Sequence, residues 1–164
     1  MSPTLILDLD NTIIDSEALA SYRTARNWRA CRSNAHKTTC FPSVREMVSG
    51  VQAAGIQVGV VTRSPSTYAE AMLHHHGIGY DALVAYHDTT HQKPHPEPVL
   101  LCLRRLEATV SGSLGVGDDP TDAQAYRAAG LKAWGAGWSP YLLKDGDWDL
   151  VVDDPEDVLR FFLD

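Results

Sequence analysis

Leu5-Ile-Leu-Asp-Leu-Asp-Asn-Thr12 passes from an apolar run to two acidic side chains within a few residues. The apolar run is typical of a strand that is buried on both faces, as in a parallel sheet. Asp8 and Asp10 follow where that strand should end, and side chains two residues apart on an extended chain point to the same side. Two carboxylates in one partly buried volume repel each other unless a cation or a shared proton offsets their charge. The pattern therefore favours an all-oxygen Mg²⁺ site, and the simpler alternative is an acidic strand end that turns into solvent.

Beyond this stretch, strand-like and helix-like patterns alternate to the end of the chain. Short apolar runs predict further strands, and apolar stripes at helical spacing predict the helices between them. Ser43 and Glu46 have the spacing of a capping box and predict the start of one helix. The predicted strands are 56–61, 81–86, 113–116, 131–134 and 149–152. This alternation is typical of a three-layer α/β/α, Rossmann-like fold with a mainly parallel sheet.

The segment from about 15 to 41 has the least decisive pattern. A helix is predicted from about Ser16 to Arg32, followed by a polar break. The arginines of this helix are predicted to form a solvated face rather than a ligand site; they are Arg23, Arg26, Arg29 and Arg32.

Composition describes an ordinary protein and restricts its class. The chain has 164 residues, enough for one domain over 1–164, and a net charge of −7. The negative charge argues weakly against binding to a nucleic-acid backbone, although a local patch or a bound metal can overrule the global sign. Three cysteines without a paired pattern are typical of a reducing compartment. With no signal peptide or membrane-length apolar run, we expect a soluble cytoplasmic protein without membrane contact.

Chemistry-bearing residues also follow the later strands. Thr62 ends the predicted strand 56–61, and Asp118 and Asp122 follow the strand 113–116. Lys93 stands just before a helix. Because ligands of open α/β sheets bind beyond the carboxyl ends of the strands, we expect these groups to meet Asp8 and Asp10 at one edge of the sheet.

These motifs, in this order, resemble those of the haloacid dehalogenase (HAD) superfamily, most of whose members are Mg²⁺-dependent phosphohydrolases. The resemblance spans nearly the whole chain and predicts a HAD core with a minimal cap. The stretch from Gly117 to Gly130 is similar to the phosphoglycolate-phosphatase-like branch. The motifs that carry the resemblance are Asp8-Leu-Asp10-Asn-Thr12, Val-Val-Thr62-Arg-Ser, Lys93-Pro-His-Pro-Glu-Pro98 and Gly117-Asp118-Asp-Pro-Thr-Asp122.

The resemblance implies a role for each motif residue. Asp8 would attack phosphorus and form an aspartyl-phosphate, and Asp10 would act as general acid and then general base. Asp8, Asp118 and the Asp10 carbonyl would hold Mg²⁺. Thr62 would donate its hydroxyl to a phosphoryl oxygen, and Lys93 would pair with Asp8 and the phosphate.

The acidic motif leaves an alternative open. Asp122 could orient Lys93 or bind a metal-bound water, and Asp119 could assist the metal or serve only as a helix N-cap. The spacing does not decide which of the two is nearer the metal. The substrate-binding candidates are Asn11, Thr12, Arg63 and His95.

The substrate is the least determined part of the prediction. The insertion at about 15–41 is too short for a full helical cap, so we expect an open site that a second copy of the chain could cover. A small phosphorylated molecule is the preferred substrate, and a phosphoprotein or a nucleic-acid end is an alternative. The preferred function is a Mg²⁺-dependent phosphomonoesterase. The alternative function is a catalytically weak or inactive HAD-fold module that binds a phosphorylated partner or ligand.

Overall fold

The computed structural model describes the whole chain, residues 1–164, and contains one large sheet and one small one. The strands of the large sheet are β1 (Thr4–Leu7), β4 (Gln57–Val61), β5 (Ala82–Val84), β6 (Leu114–Gly117), β7 (Lys132–Ala136) and β8 (Leu150–Val152). The small sheet pairs β2 (Ile14–Asp15) with β3 (Thr39–Cys40) in antiparallel fashion. The strands predicted from apolar runs are therefore all present, with ends that differ by a few residues.

The large sheet has the strand order β5-β4-β1-β6-β7-β8, and every neighbouring pair is parallel. Leu7 pairs with Val60 of β4 on one side and with Val116 of β6 on the other. The chain fills one side of β1 first and then crosses to the other, so the order reverses at β1. Open α/β sheets bind their ligands at such a reversal.

Helices cover both faces of the sheet, which confirms the predicted α/β/α fold class. The helices are α1 (Ala20–Thr24), α2 (Trp28–Ser33), α3 (Val44–Ala53), α4 (Ser66–His75), α5 (Glu97–Arg105), α6 (Pro120–Ala128) and α7 (Glu156–Leu163). Leu5 and Leu7 pack with α3, α4 and α7 in the larger core cluster, whereas Ile6 packs with α5 and α6 in the other. Alternate residues of β1 thus face opposite layers, as a strand requires. No helix of the chain has the length and apolar character needed to cross a bilayer.

The insertion at 15–41 does not form the single helix predicted from Ser16 to Arg32. It holds a 3₁₀ turn at Glu17–Leu19, the short helices α1 and α2, and a second 3₁₀ turn at Ala35–Lys37. Arg26 adopts a φ of 55° between α1 and α2, a left-handed conformation that a continuous right-handed helix does not contain. The boundaries of this insertion as a cap-like unit stay a prediction.

The predicted capping box at the start of α3 is wrong. Ser43 is the N-cap residue, but its φ of 67° is left-handed and its side chain makes no capping hydrogen bond. A capping box needs an extended N-cap backbone so that the hydroxyl can reach the free amides of the first turn. Ser43 and Glu46 therefore have the sequence spacing of a capping box, but Ser43 does not make its hydrogen bond.

Candidate active site

A small cavity of about 190 Å³ opens at the carboxyl ends of β1, β4 and β6, and no apolar side chain lines it. The strands end here, so the residues that follow them turn toward one another. Of the residues that the sequence predicted, those that line this cavity are Asp8, Asp10, Asn11, Thr62, Arg63, Lys93, Asp118, Asp119 and Asp122. The predicted residues at the strand ends therefore meet in one cavity.

Lys93 lies buried at the centre of this cavity wall. Its Nζ is 2.7 Å from a carboxylate oxygen of Asp122 and 3.1 Å from one of Asp8, and it also donates to the carbonyl of Val61 at 2.9 Å. Burial alone would lower the pKa of Lys93, but the two carboxylates outweigh it and hold the pKa above its ordinary value. Lys93 is therefore a fixed positive charge beside Asp8.

Three carboxylates gather around this one ammonium group. Ligand oxygens of Asp8, Asp118 and Asp122 all lie within 4.8 Å of one another. Burial raises the pKa of Asp8 to about 7, with the neighbouring Asp118 adding to the shift and Lys93 opposing it. Burial likewise raises the pKa of Asp118 and of Asp122 to about 6. The excess of buried negative charge and the purely oxygen donor set fit a hard divalent cation such as Mg²⁺.

Gly117 explains how Asp122 reaches this cluster. A Cβ atom at position 117 would lie 2.5 Å from a carboxylate oxygen of Asp122. The carboxylate also accepts the backbone N–H groups of Asp118 and Asp119, each at 3.2 Å. The glycine at the end of β6 therefore leaves room for a side chain that is fixed by two amides and by Lys93.

Asp119 and Asp122, which spacing could not separate, have different partners. Oδ1 of Asp119 accepts from the backbone N–H and the hydroxyl of Thr121, at 2.9 and 2.7 Å, so Asp119 caps α6. Asp122, in contrast, joins Asp8 and Asp118. The structure thus places Asp122 nearer to the carboxylate cluster, with Asp119 at the rim of the cavity as a helix cap.

Asp10 lines the same cavity but points its carboxylate to a different set of partners. Its oxygens accept hydrogen bonds from the hydroxyls of Ser16 and Tyr68, both at 2.6 Å, and of Ser64 at 3.2 Å. These donors come from the insertion, from α4 and from the loop before α4. Sequence reasoning missed all three as site residues, and only Ser64, two residues after Thr62, lay inside a quoted motif.

The prediction of a solvated face is wrong for Arg23. Its side chain is only 22% exposed, and Nη1 lies 3.9 Å from a carboxylate oxygen of Asp10. Arg23 lines the cavity, and its Nε is buried without a hydrogen-bond partner. The charge of Asp10 and the short helix α1 keep this arginine at the site. The other arginines of that predicted face, Arg26, Arg29 and Arg32, are exposed.

Two predicted substrate-binding residues do not line the cavity. Thr12 is fully buried, and its hydroxyl donates to Asp118 at 3.0 Å, so it positions a carboxylate. His95 is exposed, stacks on the ring of His91 with centroids 4.4 Å apart, and accepts the backbone N–H of Glu97. Asn11 and Arg63 do line it. Asn11 takes a φ of 62°, and its Oδ1 is buried without a partner.

The chain is similar in sequence to a phosphoglycolate phosphatase and to a pyrophosphatase. A phosphoglycolate phosphatase from Salmonella paratyphi A is 35% identical over 100 residues, which are 60% of this chain and 40% of that protein. The pyrophosphatase PpaX from Oceanobacillus iheyensis is 28% identical over 162 residues, which are 94% of this chain and 74% of that protein. The chain therefore spans about 40% of the length of the Salmonella enzyme. These relatives agree with the predicted phosphoglycolate-phosphatase-like branch.

The chain is also similar to solved structures and matches one family model. The crystal structure of a candidate phosphoglycolate phosphatase from Lactobacillus plantarum has a TM-score of 0.82 at 18% identity, over 98% of this chain and 100% of that one. At this identity the likeness shows the fold. The family model for haloacid dehalogenase-like hydrolases matches residues 22–136. The chain belongs to the haloacid dehalogenase-like hydrolase family.

Proposed function

We propose that this chain is a Mg²⁺-dependent phosphomonoesterase in which Asp8 is the nucleophile. The observation that carries the proposal is the contact of the Asp8 carboxylate with Lys93 in a wholly polar cavity, beside Asp118. A carboxylate nucleophile divides ester hydrolysis into two displacements, each with a lower barrier than direct attack by water. Lys93 offsets the repulsion between that carboxylate and a dianionic phosphate.

Asp10 is proposed to move the proton in both displacements. When Asp8 attacks phosphorus, the ester oxygen leaves and takes a proton from Asp10. Water then attacks the aspartyl-phosphate, Asp10 takes a proton from that water, and phosphate is released. The hydroxyls of Ser16, Ser64 and Tyr68 hold the Asp10 carboxylate in one orientation for these steps.

Thr62 is proposed to bind a phosphoryl oxygen. Its hydroxyl oxygen accepts the backbone N–H of Ser64 at 3.1 Å, so its own hydrogen is free to donate into the cavity. Arg63 is the second candidate donor from this loop, since it is exposed and lines the cavity. Donors placed in advance stabilise the charge that develops on the phosphoryl oxygens.

Mg²⁺ would be held by Asp8 and Asp118, with Thr12 orienting the second of these through its hydrogen bond. When bound, the cation supplies charge neutralisation for the phosphoryl group. Asp122 is proposed to act mainly through Lys93, because its carboxylate already accepts two amides and the ammonium group.

A small phosphorylated molecule is the proposed substrate class, as the names of the relatives suggest for their own reactions. We also infer a cytoplasmic location, because the three cysteines are free and a reducing compartment keeps them so. Formation of a homo-oligomer that covers the open site belongs to the same proposal; light scattering that shows a strict monomer would refute it.

The test is phosphate release from a panel of phosphomonoesters with and without Mg²⁺, in the parent and in Asp8→Asn. We expect metal-dependent release in the parent and a loss of at least about a thousandfold in the variant, because the nucleophile is removed. Asp145→Asn, at an exposed position outside the cavity, is the matched control and should keep full activity. If Mg²⁺ binds but no ester is hydrolysed, the function moves to a module that binds a phosphorylated partner.

A further inference from the structure

A second cavity, of about 210 Å³, adjoins the candidate active site, and we name it the outer groove. It is lined by Pro65, three arginines and three ring-bearing side chains; the arginines are Arg23, Arg26 and Arg63, and the rings belong to Trp28, Tyr86 and His87. Arg23 and Arg63 line both cavities. A leaving group that extends past these two arginines therefore enters the outer groove.

The outer groove is cationic although the chain carries a net charge of −7. No carboxylate lines it. Arg26 and Arg63 are exposed, whereas the charge of Arg23 is partly offset by Asp10, which lies 3.9 Å from its Nη1. A guanidinium group binds phosphate through planar, paired hydrogen bonds. The outer groove therefore offers a site for a second anionic group of the substrate, in addition to the phosphate that is hydrolysed.

The same groove offers ring surfaces. Trp28 packs against Tyr68 with ring centroids 5.4 Å apart. The outer groove is therefore in contact with Tyr68, which donates a hydrogen bond to Asp10. Tyr86 is 41% exposed and meets His87 edge to face. Aromatic rings beside arginines are the surface on which nucleobases stack, while the arginines hold the phosphates.

We infer that the substrate is a phosphorylated nucleotide whose leaving group keeps both a nucleobase and a second phosphate. This inference rests on the proposed function, because it assigns the leaving group of the same reaction. Asp8 attacks the terminal phosphate and displaces the ester oxygen, which takes a proton from Asp10, so the released nucleotide has a hydroxyl group there and keeps its second phosphate. Water then attacks the aspartyl-phosphate and releases phosphate. A free nucleoside bisphosphate and the phosphorylated end of a single-stranded oligonucleotide share this chemistry.

Four substrates measure separately how much the nucleobase and the second anionic group contribute to kcat/KM. Ribose 5-phosphate has neither, adenosine 5′-monophosphate has the ring, ribose 1,5-bisphosphate has the second anion, and adenosine 3′,5′-bisphosphate has both. We expect kcat/KM for the bisphosphate to exceed that for ribose 5-phosphate by about a hundredfold, with the other two between them. Equal values for the bisphosphate and ribose 5-phosphate would overturn the inference.

Variants connect this preference to the outer groove. Arg26→Gln and Tyr86→Leu should each lower kcat/KM for the bisphosphate by about tenfold, and should affect ribose 5-phosphate less. Arg29→Gln is the matched control, since Arg29 is exposed on α2 and lines neither cavity. Equal losses for both substrates would contradict the assignment. A 5′-phosphorylated hexanucleotide, compared with the free bisphosphate, identifies the source that is preferred.

Failure of this inference can be told apart from failure of the proposed function. Release from ribose 5-phosphate that needs Mg²⁺ and Asp8, without any preference for the bisphosphate, leaves the phosphatase proposal intact and removes the nucleotide. If no substrate is hydrolysed, calorimetric titration of the parent with adenosine 3′,5′-bisphosphate still tests the groove. Binding that Arg26→Gln weakens about tenfold would then support the outer groove as a nucleotide site although the phosphatase proposal fails, and absence of binding would refute both.

Discussion

Lys93 and Asp122 form a buried ion pair, with Nζ and a carboxylate oxygen 2.7 Å apart and each side chain only 2% exposed. The pair is more than a structural clamp, because the same ammonium group contacts Asp8 at 3.1 Å. Asp122 thus fixes the position of the positive charge that lies beside the proposed nucleophile.

Asp122→Asn should lower both stability and activity. Breaking a buried pair costs about 3–5 kcal/mol when a charge is left uncompensated, and here Asp8 remains as a partner of Lys93, so we expect a loss below about 3 kcal/mol. The kcat/KM for any hydrolysed ester should fall by about ten- to a hundredfold. Urea unfolding and phosphate release measure the two effects. Glu156→Gln, which breaks the exposed pair with Arg160, is the control and should change neither; equal stability losses in both variants would refute the prediction.

Tyr68→Phe should lower kcat while leaving the fold intact. The change removes one of the hydroxyls that orient Asp10 but keeps the ring that packs against Trp28. A net hydrogen bond is worth about 1 kcal/mol, which corresponds to about a fivefold fall in rate. Steady-state kinetics should show the change in kcat with little change in KM. Tyr22→Phe, on the insertion but outside the cavity, is the control, and an unchanged kcat in Tyr68→Phe would show that Ser16 and Ser64 suffice.

Mg²⁺ should stabilise the protein more at about pH 8 than at about pH 5.5. The folded-state pKa values of Asp8, Asp118 and Asp122, about 7, 6 and 6, lie above the ordinary value of 3.8. Between pH 3.8 and about pH 7, the folded state therefore binds more protons than the unfolded state. The metal-free protein loses stability as the pH rises between these two values. Protons compete with the cation at acid pH.

Thermal unfolding with and without MgCl₂ at both pH values measures this effect. Asp118→Asn should reduce the increase in Tm at about pH 8, because it removes one proposed ligand and one source of repulsion. An increase in Tm that is equal at the two pH values would contradict the assignment of the cation to these carboxylates.

His76 should make the protein less stable at acid pH. The side chain is 8% exposed, and Nε2 lies 2.7 Å from the hydroxyl of Thr38 in the insertion. Burial lowers the pKa of His76, and the nearby His75 and Arg45 lower it further. Its folded pKa lies below its unfolded value of 6.5, so its contribution to stability is present above that value and is lost as pH falls below it.

Urea unfolding at about pH 7.5 and pH 5 tests this coupling. The parent should lose more free energy of unfolding between the two values than His76→Gln does. His74→Gln, at an exposed position in the last turn of α4, should behave like the parent. If all three proteins lose the same amount of free energy of unfolding, protonation of His76 does not cause the loss of stability at acid pH.

The sequence predicted those features that depend on local periodicity and on strand ends. The parallel sheet, the strand-end meeting of Asp8, Thr62 and Asp118, and the N-cap role open to Asp119 all follow from short-range patterns. Contacts between side chains that are far apart in the sequence leave no short-range pattern, so they could not be predicted. Tyr68 reaches Asp10 across 58 positions, and nothing near either residue indicates it.

The insertion was the hardest segment because its structure depends on its neighbours. Arg23 belongs to a helix of five residues, too short to be stable alone, so the core decides which face it presents. Its polar character suggested solvent, but the acidic site is a second environment that suits an arginine equally well. Polarity alone cannot separate these two environments.

The pairing of β2 with β3 means that the chain leaves the core and returns to it at nearly the same point, with Ile14 opposite Cys40. This pairing attaches both ends of the insertion to one point of the scaffold. Because the entropy of closing a loop rises slowly with its length, segments of different sizes can be exchanged between these strands without moving Asp8 or Asp118. An exchange that keeps Ser16 and Arg23, which contact Asp10, therefore allows substrate choice to be re-engineered, or to diverge in evolution, while the chemistry at the strand ends is kept.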